Sequence, residues 1–252
     1  MQSTIRTLAA GRTNVLSTSV DPPHMKQGGS DAAKQAAGES AAEAVEDATV
    51  VGLGTGSTAA YAIRAIGQAV DAGLDVVGVP TSFQSRQLAR DCGIPLADLD
   101  DVSVDLAIDG ADEVASGNLI KGGGAAHARE KIVDASADRF LVVADPTKEA
   151  AVLSYPVPVE VLPMARSTVV TAVEELGGDP TLRRAERKDG PVVTDNGNLV
   201  LDCDFNSIHD PAALASDLAA LPGVVEHGLF VGMADEIHVG TADGVTVRTL
   251  SK

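Results

Sequence analysis

Four short segments of this 252-residue chain carry groups suited to chemistry on a small phosphorylated molecule. Gly54-Thr-Gly-Ser-Thr58 follows an apolar run and precedes a helical pattern, so its backbone N–H groups and hydroxyls can cradle a phosphate at a helix N-terminus. By itself it also reads as a tight strand-to-helix turn. Asp109-Gly-Ala-Asp112 sets two carboxylates three residues apart just beyond an apolar strand, where partial desolvation suits them to proton exchange with hydroxyls. A solvated turn is its other reading. Lys121-Gly-Gly-Gly124 joins a cation to three residues of free backbone angle ahead of a helix, or else is a plain linker. Glu130 falls in the first turns of that helix, and nothing local separates a base from a face residue paired with Lys131 or Lys34. Together these segments offer a phosphate cradle, carboxylates and a lysine, which is machinery for moving a proton without a metal.

Alternating strands and helices must position them. Ser30 or Asp31 caps a first helix through Val45, and strands are expected at Thr49–Gly52, Leu74–Val79, Val104–Ile108 and Phe140–Ala144. Helices follow the glycine turn, run around Gln84–Cys92, and run from Gly124 through Ala135. This alternation implies right-handed crossovers and a mainly parallel, Rossmann-like sheet. The polar motifs then fall at strand C-terminal ends, where open α/β sheets bind ligands. The character changes after Ser154, where a strand at Val157–Val161, a helix at Ala165–Leu176, a hairpin about Asp195-Asn-Gly-Asn198, a helix at Pro211–Leu221 and a strand at Val224–Val231 form a small α+β, ferredoxin-like unit. A last hairpin, Glu236–Val239 with Val245–Val247, is expected to return to the first sheet. The expected division is 1–29 as a disordered leader or misplaced start (Met25 being the first residue), 30–153 with 232–252 as the α/β catalytic domain, and 154–231 as the α+β domain.

The net charge of -17 excludes nucleic acid and anionic membranes as natural partners. Lysine occurs only seven times and aromatics make up 2%, the composition of a halophilic surface kept folded by salt screening. That scarcity gives weight to Lys34, Lys121 and Lys148. Cys92 and Cys203 lack zinc or disulfide spacing, and the five histidines lack metal-ligand spacing, so no metal is expected. The glycine turn is not a full dinucleotide fingerprint, which argues against a nicotinamide cofactor.

Gly54–Thr58, Pro80-Thr-Ser-Phe-Gln84, Asp109–Glu113, Lys121–Ala125, Arg129-Glu-Lys131, Pro158–Val161, Pro163–Arg166, Val193–Asn198 and Pro222–Val224 resemble, in order and spacing, the A-type ribose-5-phosphate isomerases. The resemblance covers about residues 30–252. It implies interconversion of D-ribose 5-phosphate and D-ribulose 5-phosphate in the non-oxidative pentose phosphate pathway. It also implies a cytoplasmic homodimer or homotetramer without cofactor, membrane or nucleic-acid partner. By the resemblance, Glu130 is the catalytic base, and Asp109, with Asp112 beside it, acts in ring opening. Lys121 stabilises negative charge. Thr55, Gly56, Ser57 and Thr58 form the phosphate-side loop, and Lys34, Gly110, Ala111, Gly122, Gly123, Gly124 and Lys148 are further substrate-binding positions. Two rivals share parts of the pattern. A sugar-phosphate sensor would need a DNA-binding module, for which the leader is too short, and an acyl-CoA transferase would need a glutamate nucleophile and a longer chain.

Overall fold

The computed structural model of the chain describes residues 29–250. The expected leader therefore lies, Gly29 apart, outside the described residues. The first half comprises α1 (Asp31–Ala42), β1 (Thr49–Leu53), α2 (Ala59–Asp71), β2 (Val76–Pro80), α3 (Phe83–Asp91), β3 (Val104–Gly110), β4 (Glu113–Ala115), β5 (Asn118–Ile120), α4 (His127–Ser136) and β6 (Ala137–Ala144). The second comprises β7 (Val157–Val161), α5 (Arg166–Glu175), β8 (Asp179–Leu182), β9 (Leu199–Asp204), α6 (Pro211–Ala219), β10 (Val224–His227), β11 (Leu229–Phe230), β12 (Glu236–Thr241) and β13 (Gly244–Thr249). Among the described residues no helix is long and apolar enough to cross a membrane.

The largest sheet runs β13-β12-β6-β3-β1-β2, with every neighbouring pair parallel except β12 with β13. Helices on both faces bury its strands, so β1 and β6 read as near-continuous apolar runs. Leu53, Ile63, Ile66, Ile108 and Leu141 fill the layer against α1 and α2. α1 begins where Ser30 Oγ accepts from Ala33 N at 3.2 Å, and it buries Ala33, Ala37 and Ala41 at four-residue spacing. The chain leaves β1 toward β2 on one side and reaches β3 on the other. This is the doubly wound order whose switch point lies between β1 and β3, and a crevice opens there beyond their carboxyl ends.

The second sheet runs β10-β7-β9-β8 and is antiparallel throughout. Its chain order, strand-helix-strand-strand-helix-strand, with the fourth and first strands adjacent and the third beside the second, is ferredoxin-like. Val157, Val159, Val173, Leu201 and Leu218 form its core. The tail hairpin β12–β13 joins the first sheet, as expected.

Two expectations need correction, and one hairpin is new. The hairpin around Asp195–Asn198 makes the turn bond from Thr194 N to Asn198 O (2.9 Å), yet only one bridge, Val193 with Leu199, continues it. Glu160 Oε1 accepts from Thr194, Asn196 and Asn198 at 2.9, 3.1 and 2.8 Å, and Val192 N turns instead to Arg183 O at 2.9 Å. The ladder partner is β8, masked in the sequence by Pro180, which is tolerated because β8 is an edge strand. The strand expected over 224–231 is two strands in different sheets, broken at Gly228, whose N–H bonds Pro158 O and whose carbonyl accepts from Lys121 N at 2.9 Å. The hairpin β4–β5, which pairs with β11, was not foreseen because each of its strands has three residues.

Candidate active site

The crevice at the switch point holds a cavity of about 260 Å³. Its wall at the end of β1 is the turn Gly54–Thr58, which enters α2. Gly54 has to lack a side chain, because a Cβ there would lie 2.3 Å from the Asp109 carboxylate. That close approach lets Thr55 N donate to Asp109 Oδ1 at 3.0 Å and locks the turn to β3. The Thr55 hydroxyl is held by Thr81 at 2.8 Å and Ser82 at 2.7 Å, the two hydroxyls that follow β2. Thr58, the N-cap of α2, makes no side-chain cap bond and lines the cavity beside Thr55, Gly56 and Ser57, so the positive end of the helix is offered to an anion there. Half-buried Lys34 and Lys148 add cations to the lining.

The opposite end is built around Lys121, only 2% exposed. It leaves the end of β5, and its ammonium donates to Gly110 O at 2.6 Å, lies 2.9 Å from Asp109 Oδ2 and 3.5 Å from Glu130 Oε2. The Phe230 ring stands 5.3 Å from it. Burial alone would lower its pKa, but Asp109, Glu130 and Asp134 outweigh that and hold the ammonium above its ordinary range. Glu130 projects from the first turn of α4 and is 3% exposed. Burial pushes its carboxyl up to about 8; Lys121 opposes the rise, and Asp109 and Asp112 add to it.

One turn along α4 sits Asp134, also 3% exposed, with both carboxylate oxygens unpartnered. Burial and the nearby Asp109 and Glu130 raise its pKa well above the ordinary value. One ammonium cannot neutralise Asp109, Glu130 and Asp134 together, which disfavours ionisation of the unpartnered Asp134. Local sequence gave no sign of this residue.

Of the fifteen residues singled out in the sequence, fourteen line the cavity: Lys34, Thr55, Gly56, Ser57, Thr58, Gly110, Ala111, Asp112, Lys121, Gly122, Gly123, Gly124, Glu130 and Lys148. Asp109 does not. It is wholly buried beneath Lys121, its Oδ1 taken by Thr55 N and by Gly110 N at 2.6 Å. In this structure its carboxylate faces Lys121 and not the cavity, as befits an acid that compensates a buried ammonium. Asp112 is the carboxylate on the wall at this end, with Oδ2 accepting from Gly123 N at 2.7 Å. Glu113 points away and takes Ser154 N and Tyr155 N at 2.5 and 2.8 Å. Gln84, at the start of α3, also lines the cavity; it stood within a quoted motif without being assigned a role.

The chain also resembles known proteins along most of its length. The family model for ribose 5-phosphate isomerase A (phosphoriboisomerase A) matches residues 77–244. Ribose-5-phosphate isomerase A of Halorubrum lacusprofundi is 68% identical over 233 residues, spanning 87% of this chain and 97% of that protein. The protein of the same name from Natronomonas pharaonis is 69% identical over 225 residues, 89% of this chain and all of its own length. Salt-loving relatives of this kind agree with the acidic, lysine-poor composition of a halophilic protein. The solved ribose 5-phosphate isomerase A from Methanocaldococcus jannaschii superposes with a TM-score of 0.84 at 44% identity, over 86% of this chain and 98% of that one. A D-ribose-5-phosphate isomerase solved in complex with phospho-erythronic acid gives a TM-score of 0.84 at 43% identity, over 86% and 97% of the two chains. By these matches over a common fold, the chain belongs to the ribose 5-phosphate isomerase A family, which interconverts ribose 5-phosphate and ribulose 5-phosphate.

Proposed function

We propose that the cavity at the β1/β3 switch point performs this aldose–ketose interconversion with Glu130 as the one base that moves the proton between C2 and C1. The observation that carries the reading is the 3.5 Å separation of Glu130 and Lys121 in a cavity whose other end is a helix N-terminus without a side-chain cap. The phosphate docks on Thr55–Thr58 with Lys34 and Lys148, and its binding energy, remote from the reacting carbons, aligns C2 with the base. Asp112 takes the proton of the anomeric hydroxyl as the bond from C1 to the ring oxygen breaks, and returns it to that oxygen. Glu130 then removes the C2 proton, giving a cis-enediolate, and delivers it to C1 while the O2 proton passes to O1. Lys121 and the Gly124 amide stabilise the developing oxyanion, commonly the largest contribution in such reactions. A glutamate base facing an electrophile also serves triosephosphate isomerase. The related enzyme's complex with a phosphorylated sugar acid supports a site for anionic sugar phosphates.

The same proposal takes residues 30–153 with 232–252 as the catalytic domain and 154–231 as the smaller one, supported by the confinement of β7–β10 to one sheet. It places the enzyme in the cytoplasm as a homodimer or homotetramer. Exposed Phe83, Ile132 and Met164 supply apolar surface for assembly, which sedimentation would measure. The functional reading is tested by ketopentose formation from ribose 5-phosphate. Binding of the substrate without turnover would overturn it.

A further inference from the structure

The three-glycine turn that follows Lys121 is closed by one bond of its own, from Ala125 N to Gly122 O at 2.9 Å, and glycine otherwise leaves its backbone angles the widest choice. It is also held from outside. Arg183, just past the end of β8 in the second sheet, reaches across to the turn that follows β5, with 14% of its side chain exposed. Its Nη1 donates to Gly122 O at 2.8 Å and to Gly123 O at 3.1 Å. The rest of the guanidinium is anchored on Asp202 of β9, Nε bonding Oδ2 at 2.9 Å and Nη2 bonding Oδ1. A planar fork with fixed donors can serve both ends at once, which a lysine cannot.

The consequence for the cavity follows from peptide geometry. In a trans peptide the C=O and N–H of one unit point in opposite directions, and the described chain has no cis bonds. Fixing Gly122 O on Arg183 turns the Gly123 N–H the other way, where it donates to Asp112 Oδ2 at 2.7 Å. Fixing Gly123 O turns the Gly124 N–H to that same side. This N–H has no partner among the described residues, and Gly124 lines the cavity. On the Arg183 side Gly122 closes over His127, whose ring atoms would meet a Cβ at 2.7–2.9 Å, and its φ of +105° suits glycine alone.

We propose that Arg183 is a positioning residue of the isomerase: anchored on Asp202, it holds the Gly122 and Gly123 carbonyls outward so that the Gly123 amide fixes Asp112 and the Gly124 amide is presented to the substrate oxyanion. The inference deepens the proposed function and rests on its placing the enediolate against this turn. It predicts a particular kinetic signature. The phosphate is held by a different turn, Thr55–Thr58, so loss of Arg183 acts on kcat and leaves KM nearly alone.

The test uses the full chain in high salt, with Arg183→Lys and Arg183→Ala assayed on ribose 5-phosphate below their own unfolding temperatures. Arg183→Lys keeps the charge beside Asp202 but loses the two-carbonyl grip, and kcat should fall about a hundredfold, the cost of a misplacement of about 1 Å, at nearly constant KM. Methylguanidinium added to Arg183→Ala should restore part of kcat. Wild-type kcat in both variants, or a lowered kcat that follows melting temperature without rescue, would overturn the inference, as would unfolding of both variants at every salt concentration. Wild-type protein is the control that separates the two claims. If it does not isomerise the substrate the proposed function itself fails, whereas if it does and Arg183→Lys matches it, only the positioning role fails.

Discussion

The Lys121 ammonium lies 2.9 Å from the Asp109 carboxylate, and both side chains are essentially closed to solvent, at 2% and 0% exposure. Asp109 compensates a charge that would otherwise be stranded in the interior, and Lys121 turns the same charge toward Glu130 and the cavity. One carboxylate thus holds the ammonium in place while a second shares it at the cavity wall.

Removing the first carboxylate is therefore chiefly a stability lesion. Asp109→Ala leaves Lys121 buried without its nearest counter-charge, which should cost about 3–5 kcal/mol, read by denaturant unfolding at constant high salt. Asp112→Asn, on the cavity wall, should lower turnover of the ring-closed sugar while leaving unfolding little changed. Equal destabilisation by both would refute this division of labour.

The raised pKa of Glu130 sets the pH dependence. A base must be ionised to act, and burial moves its titration from the ordinary carboxylate range up to about 8, with Lys121 opposing and Asp109 and Asp112 assisting. The kcat/KM profile of the free enzyme should accordingly climb as pH rises through about 8. An ascending limb finished below the ordinary range of glutamate would contradict the assignment.

Asp134 should behave as a neutral acid. Asp134→Asn, close in shape to the protonated carboxyl, is expected to keep near wild-type turnover and an unchanged ascending limb. A large downward move of that limb would show instead that Asp134 is ionised in the native site.

Salt should act through the field of the whole molecule. A chain of net charge -17 repels a phosphate dianion, so affinity for ribose 5-phosphate should improve from low to moderate salt, as screening removes the repulsion faster than it weakens the enclosed contacts. Titration calorimetry on protein shown to be folded at each salt concentration checks this. A steady loss of affinity over that range would count against it.

The parallel sheet was legible because its strands are apolar on both faces and its turns carry glycine and hydroxyl residues at the carboxyl ends. Periodicity alone therefore placed Gly54–Thr58 and Asp109–Asp112 on one side of the molecule. Glu130 could be ranked only by family resemblance, because its environment comes from Lys121 and Asp109, distant in sequence. The burial of Asp109 and Asp134 escaped notice for the same reason, since whether an acid is solvated depends on what packs over it. Arg183 was invisible for a further cause: its strand contains Pro180, and its partners are backbone carbonyls that leave no mark in side-chain pattern.

The decisive measurement follows solvent deuterium into C2 of ribose 5-phosphate and C1 of ribulose 5-phosphate by NMR, for the wild-type enzyme and Glu130→Gln. Deuterium should enter both carbons with the wild-type enzyme, and in Glu130→Gln exchange and isomerisation should fall together by about 10²–10⁴ while substrate binding persists. Exchange at the wild-type rate in Glu130→Gln, or complete transfer of label from C2 to C1 without solvent exchange in the wild type, would contradict a single carboxylate base.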